Sequence, residues 1–245
     1  MDILSPTRRV QRVRHELRRR DVAVARVEPL GPGFVAITFG GESLADFVSD
    51  SFDDHVKFIF DGGEAEPLRR DYTPRRFDRA RCELTIEFAL HGDGRASDWA
   101  RRARPGQQAT IAGPRGSMII PTDFDWHLLA GDATALPAIH RRLEELGPDS
   151  RTIAIVQLAD AADRRAFAAT SQLELQWVDD ADALVAALGR LPLPPGEGFA
   201  WAAGEASTMA RLRDLLRDKG LPREAMRVAA YWKRGLSAHH ETLDR

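Results

Sequence analysis

The hydrophobic rhythm of the chain changes once, near Pro121, and this change limits the fold more than any other feature. Before it, apolar residues recur at every second position in short runs. After it, short continuous apolar runs alternate with stretches of helical spacing. The first pattern belongs to strands with one buried face, the second to strands buried on both faces and joined by helices. A chain carrying both in this order is predicted to be two-domain, an N-terminal antiparallel β-barrel followed by a C-terminal α/β domain with a parallel sheet. Its 245 residues suffice for two modest domains. The expected division is a leader over 1–20, the barrel over 21–122 and the α/β domain over 123–245.

In the first half, Val22 and Val24 alternate ahead of the turn-forming Pro29-Leu30-Gly31-Pro32-Gly33. The run 34–39 stops at Gly40-Gly41. Val56, Phe58 and Phe60 share one face while Lys57 points the other way, and Leu84, Ile86, Phe88 and Leu90 repeat the pattern. A helix over 98–103 is expected, with Ser97 as its cap and Pro105-Gly106 as its stop. In the second half, strands are predicted over 128–131, 152–156, 173–178, 199–204 and 227–232. Helices are predicted over 136–146, near 182–191 and through Arg211, Leu212, Leu215 and Leu216, with a stiff loop over 191–196.

Charge excludes little: 35 Lys+Arg against 37 Asp+Glu leave a formal net of −2, without the basic excess of a general nucleic-acid binder. The exception is an arginine-rich arm, Arg8 to Arg20, in which Val10, Val13 and Leu17 fall at helical spacing; a short amphipathic helix or a solvated leader is expected there. A transit peptide is disfavoured by Glu16 and Asp21. The single cysteine, Cys82, excludes an intrachain disulfide and opens an alternating run, so a structural strand position is expected for it. No run is long and apolar enough to span a bilayer and no signal-peptide core follows the N-terminal charges, which makes a cytoplasmic protein without membrane insertion the expectation.

Four segments carry candidate chemistry. Arg69-Arg70-Asp71-Tyr72-Thr73-Pro74-Arg75 offers, from one strand, an aromatic wall, a hydrogen-bonding hydroxyl and cations, the set that a flavin with its pyrophosphate requires. Taken by itself it reads equally as a charged edge strand. His91-Gly92-Asp93-Gly94-Arg95-Ala96-Ser97 leads a glycine-containing loop into a helix N-terminus, where free N–H groups receive anions; a plain capped helix is the alternative. Gly131-Asp132-Ala133-Thr134 and Ala203-Gly204-Glu205-Ala206 are strand-to-helix turns of small residues, placed where open α/β sheets bind ligands. Neither matches the Gly-x-Gly-x-x-Gly fingerprint.

Together with Ala112-Gly113-Pro114-Arg115-Gly116-Ser117 and Tyr231-Trp232-Lys233-Arg234-Gly235, these segments resemble, in order and across residues 22 to 236, the siderophore-interacting protein family, a branch of the ferredoxin-reductase-like flavoproteins. The resemblance implies a barrel that binds FAD and an α/β domain that receives NADPH or NADH. It implies that Arg70, Tyr72 and Thr73 grip the flavin, that the loop with His91, Gly94, Ala96 and Ser97 takes the pyrophosphate, and that Thr134 approaches from the second domain. Gly131, Asp132, Gly204 and Glu205 are then expected along the nicotinamide cleft. Lys57, Arg115, Lys233 and Arg234 are the cations expected to attract an anionic ferric siderophore. The implied activity is electron transfer from NAD(P)H, or a ferredoxin, through FAD to Fe(III), with no catalytic acid or base among the side chains and no resident metal. A flavin-bearing siderophore binder without turnover and a general NAD(P)H:flavin or acceptor reductase are the rivals. The sequence departs from the family pattern at Ala230 and Lys233 around Tyr-Trp, at Ala133 in place of a Glu, and at Arg95 in place of a Pro. For a 2′-phosphate, Arg164-Arg165 or Arg211 and Arg213 are the candidates.

Overall fold

The structure, a computed structural model, describes residues 9–60, 68–90, 94–167 and 172–235, with the backbone of 241–242. The first half runs β1 (Gln11–Arg14), β2 (Arg19–Pro29), β3 (Phe34–Gly40), β4 (Val56–Phe60), β5 (Leu68–Tyr72), β6 (Pro74–Asp78), β7 (Glu83–Ala89), α1 (Arg95–Arg102), β8 (Gln108–Ala112) and β9 (Gly116–Ile119). One antiparallel sheet collects seven of these strands in the order β5-β4-β8-β2-β3-β7-β6. Its two end strands are consecutive in the chain. β5 pairs with β4 and β6 with β7, so the backbone changes partners at Thr73 and the curled sheet closes through a covalent link rather than a ladder. The result is a half-barrel.

Period-2 patterning fills its interior with Val22, Ile37, Phe39, Val56, Phe58, Leu84, Ile86, Phe88 and Ile111. Each such side chain contributes roughly 1.5–3 kcal/mol by leaving water. Helix α1 stops one end with Trp99, whose ring centroid lies 4.7 Å from that of Phe58, itself edge-on to Phe88 at 5.4 Å.

The second half runs β10 (Trp126–Gly131), α2 (Leu136–Glu145), β11 (Thr152–Gln157), β12 (Leu173–Val178), α3 (Ala181–Arg190), β13 (Gly198–Glu205), α4 (Ala206–Asp218), β14 (Met226–Trp232) and β15 (Glu241–Thr242). The sheet order is β12-β11-β10-β13-β14-β15, parallel as far as β14, with β15 antiparallel at the edge. Strands with both faces covered need apolar side chains on both: Leu128 and Ile153 face one core, Leu129 and Ala154 the other. The direction of winding reverses at β10, which places a switch-point crevice at the carboxyl ends of β10 and β13.

Charged and aromatic groups join the halves. Phe52 meets Trp201 edge-on at 5.3 Å. The Trp201 indole N–H donates to Asp53 Oδ1 at 2.9 Å and Arg227 Nε to Asp53 Oδ2 at 3.2 Å. Arg141 of α2 donates to Ser49 Oγ and O and to the Pro74 carbonyl at 2.8–2.9 Å. Arg75 forks onto Glu144 at 2.7 and 2.8 Å, and its Nε lies 3.3 Å from Glu87, which Arg165 also pairs. Buried charge survives only when paired in this way, so these contacts fix one half against the other.

Four sequence expectations are overturned. The arm does not form a helix: residues 11–14 are a strand, held by a four-residue ladder to β9 that outweighs the helical spacing of Val10, Val13 and Leu17. Nor is the arm a loose leader, because Arg9 pairs with Asp123 and Glu197 and lies over the Phe124 ring at 4.2 Å. Cys82 sits in the β6–β7 turn with φ +51°, its N–H on the Arg79 carbonyl, rather than in a strand. Ser97 is not the cap of α1; Gly94 is, and Ser97 lies inside the first turn. Residues 69–75 are not one strand but two, broken at Thr73.

Candidate functional site

A cleft of about 180 Å³ opens between the edge of the half-barrel and the carboxyl ends of the parallel strands. Its barrel wall is the break between β5 and β6. Arg70 stands opposite Phe58 and Tyr72 opposite Val56 in the β4–β5 ladder, so both lie on the apolar face of the strand. The Tyr72 ring packs 4.4 Å from Phe88, and burial pushes its phenol pKa up, leaving a neutral hydroxyl on an aromatic wall. Thr73 shares a hydrogen bond with Tyr231 of the opposite domain, whose phenol is raised well above its ordinary value by burial and then by the charge of Asp53.

Ala96 and Ser97 bring the first turn of α1 to the same cleft. Gly94, which has no side chain to cap with, is the N-cap of that helix. Arg70 has its pKa lowered, by burial first and also by the nearby charge of Arg95. Two arginines close enough to sense each other, beside a helix N-terminus, make a locally cationic corner of the cleft. His91 lies outside the described residues.

From the second domain, Ala133, Thr134, Pro137, Tyr231 and Trp232 complete the lining, with His55 and Asp71 across from them. His55, Tyr231 and Trp232 were not among the candidate ligands. Tyr231 and Trp232 stand in a quoted motif and carried a signal; His55 carried only its place ahead of an alternating run.

Gly131, Asp132, Gly204 and Glu205 stand behind this lining rather than in it. Asp132 is buried, and its carboxylate is fully engaged: Oδ1 accepts from the Thr134 N–H at 2.9 Å and hydroxyl at 2.6 Å, Oδ2 from the Glu205 N–H at 2.9 Å and the Trp232 indole at 2.8 Å. Glu205 caps α4 through the Ser207 and Thr208 N–H groups at 2.8 and 3.1 Å. Burial alone would raise its pKa; hydrogen bonds from the Ser207 hydroxyl and from the backbone of Thr208, Arg234 and Ser207 outweigh that and hold it below its ordinary value. The two turns pack so closely that a side chain at Gly131 would meet the Ala203 carbonyl at 2.3 Å, and one at Gly204 the Asp132 carboxylate at 2.6 Å. These four residues build the wall that presents Thr134 and Trp232.

At the rim, Lys57 is held by Asp71 at 2.8 and 3.1 Å, so it is a neutralised cation. Arg115, Lys233 and Arg234 are exposed or half-exposed in turns next to the cleft strands. The candidates for a 2′-phosphate are engaged elsewhere: Arg165 on Glu87, Arg164 on Asp179, Arg211 on Asp182 and Arg213 on Asp214.

A half-barrel whose open seam and first helix face a β12-β11-β10-β13-β14 switch point defines the class: the fold is that of the ferredoxin reductases, with a ferredoxin reductase in carbazole 1,9a-dioxygenase similar at a TM-score of 0.67. Within that class the chain belongs to the siderophore-interacting protein family. Residues 124–235 match the family described as "Siderophore-interacting protein", and residues 23–67 and 60–118 match "Siderophore-interacting FAD-binding domain". The NADPH-dependent ferric-chelate reductase of Escherichia coli is 36% identical over 91% of this chain and 96% of that one. The ferric vibriobactin reductase of Vibrio cholerae is 30% identical over 84% and 86%. Among solved structures, a siderophore utilization protein from T. fusca is similar with a TM-score of 0.90 and 34% identity, covering 94% of this chain and 98% of its own. The first half of the chain is therefore an FAD-binding domain, and the first turn of α1, the cationic Arg70 and the Tyr72 wall are chemically suited to that cofactor. Among the described residues no helix is long and apolar enough to cross a membrane.

Proposed function

We propose that this chain is an FAD-dependent ferric-siderophore reductase that draws its electrons from NADPH and works in the cytoplasm. The observation that carries this reading is the single cleft in which Arg70, Tyr72, Thr73 and the first turn of α1 face Thr134 and Trp232 at the switch point of the parallel sheet. The ferric-chelate reductase of E. coli and the ferric vibriobactin reductase of V. cholerae support the same substrate class and, for the first, the same donor.

In this reading Tyr72 forms the apolar wall for the isoalloxazine, Thr73 offers it a hydrogen bond, and Arg70 with the backbone at Gly94, Ala96 and Ser97 takes the diphosphate. FAD, when bound, supplies what no side chain can: it accepts two electrons as hydride and returns them singly, so that one NADPH reduces two Fe(III). Fe(II) is held less tightly by hard oxygen chelators, so reduction frees the metal. Thr134, aligned by Asp132, would help to hold the flavin from the second domain. Arg115, Lys233 and Arg234 draw in the anionic chelate, and Lys57 joins them when the chelate displaces Asp71. No side chain acts as acid or base on the iron.

The test is the visible spectrum of the purified protein, followed by anaerobic titration with NADPH, with NADH and with a reduced ferredoxin. Bleaching by NADPH and reoxidation by a ferric catecholate, with Fe(II) trapped by a colorimetric chelator, are expected. A colourless protein that takes up no added FAD would end the proposal. Bleaching by ferredoxin alone would replace the donor. Colour without bleaching by any donor would leave a binder that does not turn over.

A further inference from the structure

We propose that residues 17–19 of the N-terminal arm form one lip of the ferric-siderophore site, with Leu17 receiving the apolar scaffold of the ligand and Arg19 its anionic chelate. The nature of the ligand rests on the function proposed above; the placement rests on the ladder.

Arg18 and Arg20 both pair with Asp46, which puts them on one face of the extended chain and turns Leu17 and Arg19 to the other. Arg19 stands opposite Ala112 of β8, Ala112 opposite Lys57 of β4, and Lys57 opposite Asp71 of β5. Residues directly opposite in a ladder share a face, so Arg19, Lys57 and Asp71 form one row. With strands ~4.8 Å apart, Arg19 lies about 10 Å from Lys57 along that row. Asp71 lines the cleft. Arg115 stands beside the row, its carbonyl accepting the His15 N–H at 3.0 Å.

Leu17 lies beside Gly113, as does His55 of the cleft. A side chain at Gly113 would touch Leu17 Cδ1 at 3.9 Å and the carbonyl of His55, a cleft residue, at 3.7 Å. Leu17 is 54% exposed and is one of two exposed large hydrophobic residues among those described; the other, Val13 at 38%, belongs to the same arm. A single exposed apolar side chain is ordinary, but both of the large ones among the described residues fall on this one arm. This segment is folded: β1 is laddered to β9, and His15 Nε2 lies 2.8 Å from the buried Ser117 hydroxyl. Among the described residues no carboxylate pairs with Arg19. Arg19, Arg115 and the salt-bridged Lys57 thus give a cationic rim to a chain of net charge −2, with an apolar step at its edge. That combination complements a ligand that is anionic at its metal centre and organic around it.

The experiment compares Arg19→Glu, Leu17→Ser and, as a charge-reversal control on the exposed end of α4, Arg217→Glu. Steady-state kinetics are measured with the ferric complex of 2,3-dihydroxybenzoate, an anion, and with a neutral ferric trihydroxamate. Melting temperature and flavin occupancy verify the fold of each variant. Arg19→Glu is expected to raise KM for the anionic complex about tenfold at low salt, less at high salt, with kcat kept. Leu17→Ser is expected to raise KM for both complexes roughly threefold, independent of salt. A KM equal to that of the Arg217→Glu control, or a loss confined to kcat, overturns the proposal. If the unaltered protein reduces neither complex, the reductase reading fails instead. Quenching of tryptophan emission by the anionic complex then reads the lip directly, and Arg19→Glu must weaken that binding relative to the control for the proposal to stand.

Discussion

Replacing Asp132 by Asn tests whether one carboxylate holds the second wall of the cleft. Four donors converge on it: the Thr134 N–H and hydroxyl on one oxygen, the Glu205 N–H and Trp232 indole on the other. An amide has one oxygen. One orientation keeps that oxygen on the Glu205 N–H and the Trp232 indole and turns the NH₂ toward Thr134. The threonine hydroxyl then rotates to accept, and the Thr134 N–H is left unsatisfied in a site where Asp132 is 6% exposed. An orphaned buried donor costs about 1–3 kcal/mol, and two bonds that change from a charged to a neutral acceptor lose roughly 0.5–1 kcal/mol each. Relief from burying a charge offsets part of this, for a net loss of about 2–3 kcal/mol. Asp132→Ala removes the acceptor altogether and is expected to lose about 4 kcal/mol or more. Urea unfolding followed by circular dichroism, at matched flavin saturation, measures both. In a chain of this length the Asn variant should melt about 4–12 °C lower. An Asn variant within about 0.5 kcal/mol of the parent, or an Ala variant no worse than Asn, would refute the reasoning.

Tyr72→Ala should raise the FAD dissociation constant by at least about tenfold, while Tyr72→Phe, which keeps the ring against Phe88, should stay within roughly threefold; equilibrium dialysis with flavin fluorescence decides. Acid should destabilise the protein through His127 and His140, both lowered to about 4, in each case by burial first and then by a neighbouring arginine, Arg142 for His127 and Arg75 for His140. The sign follows from linkage: both are neutral in the fold, so as pH drops below about 6.5 the unfolded chain takes up protons that the native state refuses. Each histidine then withdraws about 2 kcal/mol between pH 7 and pH 5, and His140→Gln should flatten the measured stability–pH slope by close to one proton. Glu87→Gln should cost about 3–5 kcal/mol, because it leaves Arg75 and Arg165 buried against a neutral partner; a urea midpoint unchanged from the parent would show that Glu144 alone suffices for Arg75.

The elements that could be read from the sequence are those whose core is made by their own periodicity. Val56, Phe58 and Phe60 face inward because every second residue must, and the buried run over 152–156 lies within β11 for the same reason. The misreadings fall where a distant partner decides. The arm has helical spacing, yet β9 offers it four backbone pairs and a Ser117 for His15. Thr73 stands between β5 and β6; Pro74 marks a break there, but the exchange of β4 for β7 as the ladder partner is decided by the curl of the sheet. Cys82 follows the pattern of a strand, but the Asp78–Glu83 pairing makes it a turn residue.

The site shows a different limit. Small residues at Gly131 and Gly204 suggest the close approach of a ligand, and in the structure each is closely approached by the chain itself: the Ala203 carbonyl at one, the Asp132 carboxylate at the other. A sequence shows that a side chain is excluded without showing what excludes it. The acidic residues follow the same logic, since Asp132 and Glu205 have the chemistry of ligand contacts and the geometry of a brace. The brace still bears on function: the indole that lines the cleft, the hydroxyl at Thr134 and the backbone of Arg234 all terminate on those two carboxylates. Moving either one displaces groups that line the cleft, so under the proposed function their effect on electron transfer is expected to be indirect and to follow the stability loss measured for Asp132→Asn.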